Sequence, residues 1–120
     1  MDGFTYGGLG VQGGIRQATE SMEKLATFLK SKDVELSVIV YPWPDQLKHG
    51  VVNSKQVQIW KNFCKKRCKN FTDTFPEFFK IKQDFGIDYV VNKYYLPGDV
   101  HFSKDGHKLI SRVFLNKGSE

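Results

Sequence analysis

The sequence predicts an α/β fold built on a small parallel sheet. Three observations lead there. Helical and extended segments follow one another in the order helix, strand, helix, strand, helix, loop, helix. Residues 34–41 are rich in β-branched side chains and become continuously apolar, as a strand covered on both faces does. The helical segments carry apolar residues at three- and four-residue steps, so each can lay one face on such a sheet.

The elements follow in chain order. Residues 1–14 hold six of the eleven glycines and read as a loop or lead-in, with the domain proper at 15–120. The string Gly8-Leu9-Gly10-Val11-Gln12-Gly13 spells G-x-G-x-x-G, but no strand precedes it, and a dinucleotide site needs that strand. Residues 15–31 form a helix, with Ile15, Ala18, Met22, Leu25, Ala26 and Leu29 on one stripe. Residues 34–41 form the first strand, and Pro42 and Pro44 stop it because proline cannot continue a ladder. A loop over 42–53 carries Trp43, Asp45 and His49. Ser54 caps a second helix over 55–66, whose buried side is Val57, Ile59, Trp60, Phe63 and Cys64. Residues 70–73 make a short strand. Pro76 opens a helix over 77–85 that Gly86 ends. Residues 87–95 read as extended or loop-like. Ser103 caps a last helix reaching residue 116, with Leu109, Ile110, Val113 and Phe114 inward.

With 120 residues the chain supports one domain and one modest core. Apolar residues at 40% and charged residues at 26% exclude a disordered chain. No stretch approaches the roughly 20 apolar residues of a membrane span. No signal peptide opens the sequence, which makes the cytoplasm the default compartment, although an exported mature form would read the same. Two cysteines, Cys64 and Cys68, exclude a disulfide scaffold. A bridge between residues four apart would strain a helix, and no zinc ligand set lies nearby, so two reduced, partly buried thiols are expected.

Charge is uneven along the chain. Residues 46–72 hold Lys48, Lys55, Lys61, Lys65, Lys66, Arg67 and Lys69 and no acidic residue, within a chain of net charge +5. Such a patch attracts polyanions, with Trp60 and Phe63 interleaved as candidate stacking surfaces. A basic binding module is therefore the alternative function. Its ligand is nucleic acid or another polyanion, and helical spacing that buries Trp60 and Phe63 weighs against nucleic acid.

The most informative stretch is Leu96-Pro97-Gly98-Asp99-Val100-His101-Phe102-Ser103. Residues two apart in extended chain point the same way, so Asp99 and His101 share a side. A carboxylate beside an imidazole holds one tautomer through its Nδ1 proton. Nε2 is then left to take a proton from a hydroxyl. Trp43, and Tyr95 beside the Asp-His segment, are candidate substrate contacts.

Residues 99–110, Asp-Val-His-Phe-Ser-Lys-Asp-Gly-His-Lys-Leu-Ile, resemble the last motif block of the SGNH/GDSL hydrolase superfamily. There an Asp and a His precede a short polar turn, a Gly and an apolar helix. Residues 36–44, Leu-Ser-Val-Ile-Val-Tyr-Pro-Trp-Pro, are similar to that family's late central strand and the loop after it. The resemblance implies an incomplete, three-layer, flavodoxin-like domain, of which 15–120 are the C-terminal part. It implies an esterase in which His101 is the base and Asp99 the acid of a Ser-His-Asp triad. It implies a small-molecule or carbohydrate ester as substrate, and no metal or organic cofactor. The single residue between Asp99 and His101 resembles the branch related to sugar O-acetyltransferases, which adds acetyl transfer as a reaction. The family's Gly-Asp-Ser block does not occur in the chain. The serine is therefore expected from an upstream half, and a sheet edge left exposed by that missing half would favour a homo-oligomer. The remaining reading is an inactive, truncated hydrolase-like chain.

Overall fold

The computed structural model describes residues 10–118. Its elements are α1 (Gly10–Ser31), β1 (Ser37–Val40), α2 (Pro44–His49), α3 (Lys55–Arg67), β2 (Asn70–Asp73), α4 (Phe75–Phe85), α5 (Ile87–Tyr94) and α6 (Lys104–Gly118). The strands β1 and β2 pair in parallel, with Ser37 opposite Asn70 and Val40 opposite Asp73. Parallel neighbours need a crossover, and α3 lies within it. The fold is thus mixed α/β and mostly helical, with a sheet of two strands among the described residues.

Two clusters make the core. Val40, Val57 and Phe75 pack with Trp60 and Phe71 where α3 meets the sheet. Leu47, Phe78, Val90, Tyr94, Tyr95 and Leu109 join α2, α4, α5 and α6. The ring of Phe78 lies 5.9 Å from Tyr94, 5.9 Å from Tyr95 and 5.8 Å from Phe102, within the range of favourable aromatic pairs.

Several boundaries differ from expectation, each for a local reason. The helix expected from residue 15 starts at Gly10, so the last glycines of the lead-in are helical, while residues 1–9, including part of the G-x-G-x-x-G string, lie outside the described residues. α1 closes with Asp33 in the left-handed region at φ 59°. Val34 N–H donates to the Leu29 carbonyl at 2.9 Å and Asp33 N–H to the Lys30 carbonyl at 3.1 Å. This closure takes up the start of the expected strand, leaving β1 only four residues.

The loop over 42–53 contains α2, started by Pro44 and closed on its N-terminal side by the Gln46 side chain, whose Oε1 accepts the Trp43 N–H at 2.8 Å. Of residues 87–95 only Tyr95 is extended. Residues 87–94 form α5, because Ile87, Val90 and Tyr94 fall on one helical face packed in the cluster of Phe78 and Leu109. Gly86, at φ 93°, ends α4 and begins α5, a conformation open to glycine.

The thiols are not free. Cys64 and Cys68 form a disulfide. Strain inside a helix is avoided because α3 stops at Arg67 and Cys68 turns out at φ −116°, ψ 145°.

Candidate active site

The Asp-His segment is a loop clasped between α5 and α6. Asp99 N–H donates to the Leu96 carbonyl at 3.1 Å across a turn with Gly98 at φ 66°, the position where such a turn calls for glycine. Leu96 N–H then bonds to the His101 carbonyl at 2.9 Å, and Ser103 N–H to the Tyr94 carbonyl at 3.0 Å. Tyr95 and Phe102 close the loop as an antiparallel bridge. Its exit is capped by Ser103, whose Oγ accepts Gly106 N–H at 3.2 Å and donates to the Lys93 carbonyl at 2.6 Å. Gly106 itself is buried. A Cβ there would sit 2.1 Å from the Tyr94 carbonyl oxygen, so only glycine lets α6 begin this close to the end of α5.

Asp99 and His101 are brought together. Asp99 Oδ1 lies 2.7 Å from His101 Nδ1 and also accepts the N–H groups of Val100 at 2.6 Å and His101 at 3.2 Å. These donors hold the Asp99 carboxyl below the usual carboxylate range, the His101 ring first and its backbone N–H second. The imidazole is 76% exposed, and no group among the described residues bonds its Nε2. A neutral ring anchored in this way carries its proton on Nδ1 and offers Nε2 as an acceptor.

Beside Asp99 is an open cleft of about 340 Å³, lined by Trp43, Asp45 and Lys48 on one wall and Val91, Asp99 and Val100 on the other; His101 is not among its lining residues. Trp43 is exposed at its rim. Two of the sequence candidates, Trp43 and Asp99, thus share one cleft, although 56 positions separate them in the chain (99 − 43).

Tyr95 does not reach it. The expectation of substrate contact is corrected here: the side chain is 1% exposed, and its hydroxyl donates to the Pro42 carbonyl at 2.5 Å. Lys48 was read from the sequence only as part of the basic stretch, and Val91 was not singled out. The regular spacing of Ile87, Val91 and Tyr94 was the available signal for the second, because it places a helix along that wall.

None of the described serines stands at the pair as a nucleophile. The Ser103 hydroxyl, two residues from His101, is committed to Lys93 and Gly106. Ser54 caps α3 by accepting the Val57 N–H. Ser31 donates to the Phe28 carbonyl, and Ser37 accepts a side-chain bond from Asn70. Ser21 and Ser111 lie within α1 and α6.

The basic stretch offers no stacking surface. Phe63 is buried, and Trp60 packs edge-on against it with ring centroids 5.6 Å apart. Arg67 pairs with Glu23 and Lys69 with Glu35, which neutralises part of the charge. No group of three or more potential metal ligands occurs among the described residues, and no described helix is long and apolar enough to cross a membrane.

No family model, curated protein or solved structure matches the chain.

Proposed function

We propose that Asp99 and His101 are the acid and base of an SGNH-type ester hydrolase, within a three-layer domain completed by polypeptide outside the described residues. The observation that carries this reading is the 2.7 Å contact between Asp99 Oδ1 and His101 Nδ1 on an exposed loop beside the Trp43 cleft. In the reaction, Nε2 of His101 takes the proton of a serine hydroxyl as that oxygen attacks the ester carbonyl. Asp99 holds the Nδ1 proton and stabilises the imidazolium, which then protonates the departing alcohol. Water repeats the sequence to release the acid, and a second alcohol in its place gives acyl transfer. Trp43 would contact the substrate at the rim of the cleft.

The test is labelling of the complete gene product by a fluorophosphonate, together with turnover of p-nitrophenyl acetate. The expected result is one labelled serine outside residues 10–118, with label and turnover both falling by several powers of ten in His101→Ala. Absence of any labelled serine, or unchanged turnover in the variant, refutes the reading.

A further inference from the structure

The Cys64–Cys68 disulfide lies at the end of α3 and takes no part in the Asp99–His101 loop. Cys64 belongs to the last turn of α3 and is 5% exposed, whereas Cys68 has left the helix and is only partly buried. Cys68 also lines a groove of about 450 Å³ between α1, the turn after it and the end of α3. Four basic side chains line the same groove. Arg67 is held by Glu23 and Lys69 by Glu35 at 3.1 Å, but Lys30 and Lys66 have no carboxylate partner among the described residues, and Asp33 is the only unpaired acid in the lining.

We propose that this groove is a thiol-exchange site, in which a small thiol bearing carboxylates, of the acidic tripeptide class, opens the disulfide at Cys68. Exposure decides which sulfur is attacked, since a buried sulfur offers no line of approach. The incoming thiolate forms a bond to Cys68 Sγ. The Cys64–Cys68 bond breaks, and its electron pair leaves on Cys64 Sγ, which takes a proton from solvent. The products are a mixed disulfide on Cys68 and a free thiol on Cys64. A second molecule of the same thiol then attacks the mixed disulfide, frees Cys68 and departs as the oxidised dimer. Each protein cysteine ends reduced, and the two thiols supply the two electrons. Lys66 and Lys30 attract the carboxylates of the incoming molecule and raise its concentration next to Cys68.

The experiment incubates the oxidised protein with glutathione, and in parallel with cysteamine and 2-mercaptoethanol at matched thiolate concentration. Adducts are trapped by acid and located by peptide mass spectrometry. The glutathione adduct is expected on Cys68, forming faster than the cysteamine adduct, with the advantage shrinking as salt is added. Lys66→Glu should slow glutathione about two- to fivefold, the size expected for one exposed ion pair, and leave 2-mercaptoethanol unaffected. Three results overturn the proposal. They are an adduct on Cys64 instead, two free thiols in protein isolated without reductant, or glutathione and cysteamine reacting equally fast at low salt.

Discussion

The phenol of Tyr95 donates a hydrogen bond to the carbonyl of Pro42, tying the end of α5 to the turn after β1. Both residues are buried, and burial pushes the Tyr95 hydroxyl well above its ordinary range, so it remains a neutral donor in any usual buffer. Pro42 leads directly to Trp43, and Tyr95 leads to the Asp99 turn, so this bond joins the packing of Leu47 on Val90 and Tyr94 in fixing the spacing of the two walls of the cleft. Tyr95→Phe removes the donor and strands a buried carbonyl. The expected loss is about 1–2 kcal/mol in urea denaturation. An unchanged midpoint would show that the carbonyl has another partner.

Gly106→Ala should be costly even though alanine is the better helix former. The added methyl meets the Tyr94 carbonyl and the Phe102 ring, and one of them is backbone that cannot step aside. A loss of about 1–3 kcal/mol is expected, the range for forcing extra atoms into a packed site. Thermal melts of the two proteins decide it, and a raised Tm for the variant contradicts the close approach.

The Asp99 carboxyl titrates below the usual range because the folded loop supplies donors that the unfolded chain lacks. On acidification the unfolded state therefore binds this proton first. The loop gains its stabilisation above the ordinary carboxylate pKa and loses it as pH falls through the lowered value. Carboxyl carbon NMR should show this low midpoint, with the amide signals of Val100 and His101 shifting alongside it. His101→Ala removes the largest contribution, so the midpoint should move up towards the ordinary value. A midpoint that stays put assigns the effect to the backbone donors alone.

Phe78 is fully buried among Tyr94, Tyr95 and Phe102. Phe78→Ala should cost about 3–5 kcal/mol, the range for an aromatic deleted from a core. Guanidinium denaturation measures it. A loss below about 1 kcal/mol would mean that the neighbouring rings collapse into the space.

The sequence carried the Asp-His loop well because its signals are local: a proline-glycine turn, two polar residues two apart, and a serine cap. It carried α3 and β2 for the same reason, since Ser54 and the run of lysines mark the ends of α3. It failed at α5, where β-branched Ile87, Val90 and Val91 suggest extended chain. There the burial of Val90 and Tyr94 against Phe78 outweighs that preference. Tyr95 could not be placed from the sequence, because its partner Pro42 is 53 residues away. The disulfide was misjudged because the strain argument treated Cys68 as helical, although the expected helix already ended at residue 66 and Cys68 is extended.

α1 is the longest helix described, at 22 residues, yet neither core cluster contains one of its side chains. Leu25 and Phe28 on its flank remain exposed, and its described ionic tether to the body is Glu23 on Arg67. The arm can therefore peel away while everything from β1 onward keeps its packing. Its amides should exchange with deuterium long before those of α4 and α5, which gives the molecule two tiers of opening.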